Sequence, residues 1–303
     1  MMCRHNKFLS ILGCFAALIT FTCVGSNAAN WNTKSTTQYL DGSSLGLKAP
    51  SGSGWDKHMA YAKGRKKHNF TLLSDAKKAR RGEKYQRIEL RSGDCFPLGG
   101  SWNDCEMDRE RFEFSSRPRL KPTQKHCFSY SLMLSSDFTD VHPTNTDLGQ
   151  VHQVGGPKGT AGGLKSFPPL IQISAKNGKL LFKWHKLTGS SSNVVDTTVE
   201  RYLADLSDMK SKWTDISFCL DFEAKRMDGW IDGKKTFEIN ESPINFVPEE
   251  IYFKYGIYRS FISRYKSISG DLPTQVVFYD EVRRGSSIES VDFNLNPKLK
   301  PVD

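Results

Sequence analysis

The sequence predicts an all-β protein built from two antiparallel sheets packed face to face, and three observations carry that prediction. Short runs rich in β-branched and aromatic residues recur between turn signals, several of them alternate polar with apolar residues, and no long stretch keeps a helical period. In order they are YQRIELR, ERFEF, HCFSYSLML, PPLIQIS, KLLFKWH, WTDISFCLDF, DGWIDG, YFKYGIY and QVVFYDEVR. Alternation places every second side chain on one face, as a strand with one buried side requires. The best helix candidate is Val199 to Met209 (VERYLADLSDM), and no internal repeat is present.

The first residues read as a leader. Arg4 and Lys7 precede an apolar run from Phe8 to Val24, and Ser26-Asn27-Ala28-Ala29 closes it, the three-part layout of a secretory signal peptide. Small residues before Asn30 favour cleavage over retention as a membrane anchor, so the expected division is residues 1–29 as signal peptide and 30–303 as one domain, secreted or periplasmic, with no membrane attachment after cleavage. From Asn30 to about Lys84 the sequence is polar, with a Gly/Ser segment at 41–54 and a basic run containing Lys77, Lys78, Arg80 and Arg81, which reads as a loop-rich entry with a solvated surface.

Three cysteines, Cys3, Cys14 and Cys23, are expected to leave with the leader. The remaining four, Cys95, Cys105, Cys127 and Cys219, are an even number in an exported chain and point to disulfides. Cys95 and Cys105 flank Gly99 and Gly100, which can turn the chain back, while Cys127 and Cys219 sit in strand-like runs. The expected bridges are Cys95 with Cys105 and Cys127 with Cys219, out of three pairings that four cysteines allow. Their spacing fits no zinc ribbon.

The formal charge is +10, and losing Arg4 and Lys7 leaves 41 basic against 33 acidic residues, or +8. That excess favours an anionic partner: nucleic acid, an anionic membrane surface or an acidic polysaccharide. Export favours the polysaccharide, and nothing in the sequence reads as a nucleic-acid module.

Three kinds of segment are hard to explain as core alone. Arg-x-Glu occurs on two strands, Arg87-Ile88-Glu89-Leu90-Arg91 and Arg109-Glu110-Arg111-Phe112-Glu113, each a row of guanidinium groups held by carboxylates, suited to gripping a carboxylate ligand. Gln150-Val151-His152 puts an amide and an imidazole on one face. Tyr252 to Arg259 (YFKYGIYR) puts Tyr252, Lys254, Gly256 and Tyr258 on one face and Phe253, Tyr255 and Ile257 on the other, with Gly256 leaving room for a close approach.

In this order the segments resemble the three motifs of β-jelly-roll alginate lyases, an Arg-x-Glu-Leu-Arg strand, a Gln-(Ile/Val)-His triplet and a Tyr-Phe-Lys-x-Gly-x-Tyr strand. The runs from Arg87 to Cys95 and from Pro273 to Arg283 look more like the heparin-lyase-like, glucuronan lyase branch. The resemblance covers roughly residues 85 to 285 and departs from the alginate lyases at Arg259-Ser260, where those enzymes often carry Asn-Gln.

It implies a β-jelly roll, a concanavalin-like two-sheet antiparallel sandwich. The implied activity is β-elimination on an acidic, uronate-containing polysaccharide, glucuronan-like first, with alginate or a glycosaminoglycan as alternatives, leaving 4,5-unsaturated uronate ends. It also implies roles. Gln150 with Arg111 or Arg87 would neutralise the uronate carboxylate, His152 or Tyr258 would take the C5 proton, and Tyr258 would protonate the leaving oxygen. Lys254, Arg91, Arg109, Arg259, Glu89 and Glu113 would line the substrate site. The chemistry needs no redox or nucleotide cofactor, a structural calcium ion would fall to Asp280 and Glu281, and the protein is expected to be monomeric.

Trp184, Trp213 and Trp230 are sugar-stacking candidates that fit the core better, Trp102 falls inside the expected disulfide loop, and Asp228 to Lys234 resembles a jelly-roll hairpin. Two competing readings are a non-catalytic carbohydrate-binding module on the same sandwich and a sandwich glycoside hydrolase. The hydrolase would need two carboxylates flanking the bond, and no Glu-x-Asp-x-x-Glu arrangement is present.

Overall fold

The computed structural model describes residues 44–61, 65–99, 102–154, 168–190, 193–245 and 249–303, so the expected signal peptide lies outside the described residues. Two antiparallel sheets face each other. One holds, in spatial order, β1 (Ser44–Lys48), β2 (Lys57–Tyr61), β7 (Arg109–Arg117), β16 (Glu250–Ser260), β9 (Asn145–Val154), β10 (Ile171–Lys176), β11 (Lys179–Ser190) and β12 (Asn193–Asp205). The other runs β15 (Lys234–Ile239), β14 (Arg226–Ile231), β13 (Thr214–Asp221), β8 (Lys125–Leu134), β17 (Gln275–Gly285), β4 (Lys84–Leu90) and β3 (Phe70–Ser74). A two-stranded ribbon, β5 (Pro97–Gly99) and β6 (Trp102–Asn103), stands apart. All nine predicted strand runs fall on strands of the two large sheets.

Alternation builds the interior. Phe112, Phe114, Val151, Phe253, Tyr255 and Ile257 of the first sheet meet Phe128, Tyr130, Leu132, Phe218 and Tyr279 of the second, all at most 1% exposed. Phe253 stacks on Phe128 with ring centroids 5.2 Å apart, and Tyr255 meets Tyr279 edge-on at 5.2 Å. Rings of this size remove much apolar area from water, and their offset and edge-on contacts add specificity to the packing.

The hairpin from Asp228 to Lys234 is present as the β14–β15 turn, with Asp232 and Gly233 both at positive φ (49° and 74°), the left-handed pair that an Asp-Gly turn supplies. Both expected disulfides are present. Cys127 and Cys219 lie directly opposite each other on β8 and β13, and Cys95 to Cys105 closes the loop around the small ribbon.

The helix expected at 199–209 is not there. Val199 to Asp205 continue β12, pairing with β11 from Lys179 to Ser190, and only Leu206–Met209 turn as a short 3₁₀ helix. Leu203 packs into the core from this strand while Glu200, Arg201 and Tyr202 stay exposed, and the pairing with β11 sets the conformation over local helix propensity. The α-helix that does form among the described residues, α1 (Ile262–Ser269), has no buried residue and follows directly on β16.

Two register irregularities shape the middle of the first sheet. Between β16 and β9 the pairing steps from Tyr255 opposite Gly149 to Tyr258 opposite Asp147, an extra residue on β16. Between β10 and β9 it steps from Ile173 opposite Gly149 to Ser174 opposite Asp147, an extra residue on β9. Gly256, in the first bulge, has φ 135°, and a Cβ there would lie 2.3 Å from the Phe112 carbonyl oxygen, so the neighbouring backbone occupies the space a side chain would need. From the opposite sheet, the Tyr279 hydroxyl reaches through the core to the carbonyl oxygens of Leu148 (2.7 Å) and Gly256 (2.8 Å), one in each irregular stretch.

Candidate active site

With the apolar side chains of β7, β9 and β16 turned inward, their alternate residues form a polar patch on the outer face of the first sheet. β7 contributes Arg109, Arg111 and Glu113, β9 contributes Gln150 and His152, and β16 contributes Tyr252, Lys254 and Tyr258. The register sets Tyr252 opposite His152, Lys254 opposite Gln150 and Tyr258 opposite Arg111, so segments far apart in sequence become neighbours.

Glu113 is the hub. Its carboxylate accepts hydrogen bonds from Gln150 Nε2 and Lys254 Nζ, and one of 3.3 Å from Arg111 Nη1. Burial alone would raise its pKa, but Lys254 and Arg111 outweigh that and hold it below the usual carboxylate range. Lys254 is pulled down by burial while Glu113 opposes the fall. Arg111 is further fixed by Asp104, whose two oxygens accept from Nε and Nη2 at 2.7 Å each. A guanidinium has five N–H groups, so three engaged here leave two for a ligand, and Gln150 and Lys254 likewise keep N–H groups beyond those bound to Glu113.

Tyr258 lies against this hub. The Arg111 guanidinium carbon sits 4.2 Å from the Tyr258 ring centroid, Lys254 Nζ sits 5.8 Å from it, and Arg109 Nε donates to the phenol oxygen at 2.9 Å. Burial raises the Tyr258 pKa, with Arg111 and Arg109 pulling the other way, so the phenol keeps its proton at neutral pH. His152 stacks on Tyr252 with centroids 5.6 Å apart, and its Nδ1 donates to the Gln153 carbonyl at 3.0 Å. That bond fixes the tautomer and leaves the Nε2 lone pair free to accept a proton. Burial, reinforced by the positive charge of Lys254, lowers the His152 pKa to about 4, so the ring is neutral at neutral pH.

The other expected site residues lie elsewhere. Arg87 and Glu89 are on β4, in the opposite sheet, and Arg91 follows directly after it; Ile88 and Leu90 of that strand point into the core, so the row faces away from the Tyr258 side, with Glu89 held by Arg87 Nη2 and Arg91 Nε. Arg259 was expected to touch substrate, but it is 0% exposed, ion-paired with Glu110 at 2.7 Å and donating to the Pro273 carbonyl. Next to Tyr258 in sequence, it points to the other side of the strand.

Trp184 is fully buried, Trp213 donates to the Lys78 carbonyl, and Trp230 packs on the Cys127–Cys219 cluster. Asp280 accepts from the backbone N–H groups of Arg80 and Arg81, and Glu281 is gripped by Arg81 and Arg283. The end of the basic run thus braces the second sheet. Among the described residues no group of three or more His, Cys, Asp or Glu side chains is placed to hold a metal ion, and no helix is long and apolar enough to cross a membrane.

Sequence reading had not picked out Asp104, Asp147, Gln172, Lys183, His185 or Tyr279. Asp104 carried one usable signal, its position beside Cys105, since a disulfide loop is a rigid place from which to hold a charge.

Comparison with known proteins gives the family and the fold. The polysaccharide lyase family profile matches residues 52–283. Among solved structures, an endo-β-1,4-glucuronan lyase from the fungus Trichoderma reesei superposes with TM-score 0.56 at 18% identity, covering 79% of this chain and 94% of that one. The family-7 alginate lyase A1-II' gives 0.47 at 14% identity (75% and 86% covered), and the alginate lyase AlyA1 from the marine Zobellia galactanivorans gives 0.45 at 13% (80% and 94%). No curated protein sequence matches. A profile match over most of the described β-sandwich decides the question: the chain belongs to the polysaccharide lyase family and is a lyase enzyme with a jelly-roll fold.

Proposed function

We propose that the protein cleaves an acidic, uronate-containing polysaccharide by β-elimination, with His152 as base and Tyr258 as acid. The observation that carries this reading is the gathering of Arg111, Gln150, Lys254 and Tyr258 around the Glu113 carboxylate, with a neutral imidazole beside them. The C5 hydrogen of a uronate is weakly acidic because its carboxylate is already negative. The remaining N–H groups of Arg111 and Gln150 meet that carboxylate and stabilise the charge that moves onto it as the C–H bond breaks. His152 Nε2 takes the proton, the electron pair forms the C4–C5 double bond, and the C4–O bond breaks. The Tyr258 hydroxyl gives its proton to the departing glycosidic oxygen. Glu113 keeps the cationic side chains at fixed distances, so little reorganisation accompanies the reaction.

The first polymer to test is β-1,4-glucuronan, supported by the likeness to the Trichoderma enzyme and by the runs from Arg87 to Cys95 and from Pro273 to Arg283. The leader-like residues 1–29 and the two disulfides support export to the cell exterior or periplasm, with the enzyme acting there as a monomer. The test is incubation with glucuronan, alginate and glycosaminoglycans while following ultraviolet absorbance of the conjugated product. Release of reducing ends without that absorbance would mean hydrolysis and would overturn the proposal.

A further inference from the structure

The polar face continues two strands beyond the hub, onto β10 and β11. Lys254, Gln150, Gln172 and Lys183 are successive partners across β16, β9, β10 and β11, forming one row of side chains on one face. Gln172 Nε2 donates to Asp147 Oδ2 at 2.5 Å, which fixes the amide and turns its oxygen toward His185 Nε2 at 2.6 Å. His185 Nδ1 faces Asp196 Oδ2 at 2.8 Å. Both ring nitrogens therefore face oxygen atoms, which fixes the orientation of the imidazole.

Beside them Lys183 is 7% exposed, and among the described residues no carboxylate lies within 4 Å of its Nζ; the charge that acts on it is the buried Asp147 carboxylate, which Gln172 and Ser174 already engage. Glu200, its cross-strand partner, is ion-paired with Lys176 instead. An ammonium this deep, answered only by a carboxylate that two other side chains share and lying beyond 4 Å, keeps N–H groups that an anionic ligand can take.

We infer that Lys183, flanked by Gln172 and His185, is a second carboxylate-binding site, holding a uronate further along the same polymer chain. The inference rests on the uronate lyase reading of the hub and extends it: the ligand crosses the strands, and a second carboxylate sits two strand spacings, about 10 Å, from the one held at Gln150. The site thus selects polymers that carry carboxylates on more than one sugar.

The test is calorimetric binding of glucuronan and of its carboxyl-reduced, neutral counterpart to wild type, Lys183→Met and Lys183→Arg, with thermal melting as a check on folding. Lys183→Met keeps the aliphatic stem. It should bind glucuronan about tenfold more weakly, the worth of one charge-assisted hydrogen bond. Its binding of the neutral polymer should not change, and Lys183→Arg should restore most of the loss. Unchanged glucuronan affinity in Lys183→Met, or an equal loss toward the neutral polymer, overturns the inference. Glucuronan binding that depends on Lys183 in a wild-type protein that releases no unsaturated product would uphold this site while sinking the lyase chemistry at the hub.

Discussion

The Asp104 carboxylate and the Arg111 guanidinium are joined by two parallel hydrogen bonds of 2.7 Å, with Asp104 0% exposed. This bidentate grip sets the plane of the guanidinium over the Tyr258 ring, and Cys105, the next residue, ties Asp104 to Cys95. Asp104→Ala should lower kcat/KM on the order of 100-fold by letting Arg111 drift. Leaving a buried charge short of its partner should also cost about 3–5 kcal/mol of stability. Steady-state kinetics and chemical denaturation measure both, and wild-type turnover in a folded Asp104→Ala protein would remove the positioning role.

Arg111 and Arg87 occupy equivalent places in the two Arg-x-Glu strands but face opposite sides of the sandwich. Arg111→Ala should reduce kcat by roughly 100-fold or more, as loss of an electrostatic stabiliser does. Arg87→Ala should leave turnover within about twofold of wild type, since an outward arginine on the opposite sheet contributes only surface ion-pairing. Comparable losses in both variants would contradict the placement of substrate on the first sheet.

The His152 pKa of about 4 fixes the acid side of the pH profile. As a base the ring works only when neutral, so kcat/KM should hold down to about pH 5 and fall with an apparent pKa near 4, where an unperturbed histidine would fail near 6.5. The same shift affects stability. The folded value lies below the unfolded one, so this group's contribution is fully present above about pH 6.5 and is lost as the pH falls through about 4. His152→Asn should abolish turnover and flatten that part of the stability curve. A wild-type acid limb near 6.5 would argue against His152 as the base.

Tyr258→Phe deletes one hydroxyl and keeps the ring on which Arg111 rests. The expected result is a fall in kcat of about 100- to 10,000-fold, with KM little changed and the melting profile intact. Retention of more than a tenth of wild-type kcat would move the acid role to another group.

Much of this was legible in the sequence because strands alternate. The facing of Tyr252, Lys254 and Tyr258, of Gln150 and His152, and of Arg109, Arg111 and Glu113 follows from a period of two, and each group is found on one face as read. Periodicity does not say to which sheet a strand belongs, so Arg87 and Arg111 looked equivalent until pairing separated them. Nor does it show depth. Arg259 was expected to line the substrate site, yet Glu110 on the neighbouring strand takes it into the interior. VERYLADLSDM suggested a helix because Leu, Ala, Glu and Arg favour one, but twelve residues of β11 lie alongside β12 and offer it a ladder. Gly256 was read as room for a visitor, and that visitor is the Phe112 carbonyl.

The Tyr279 hydroxyl has a consequence for how the enzyme should fail. It belongs to the far sheet, crosses the interior, and fastens the carbonyls of Leu148 and Gly256, the places where β9 and β16 leave regular pairing just before Gln150 and Tyr258. Reactivity is thereby fastened to the sandwich as a whole, with no separate hinge to give way first. On heating, turnover and sheet ellipticity should disappear in a single step at one temperature, and Tyr279→Phe should pull the two apart, with activity fading first.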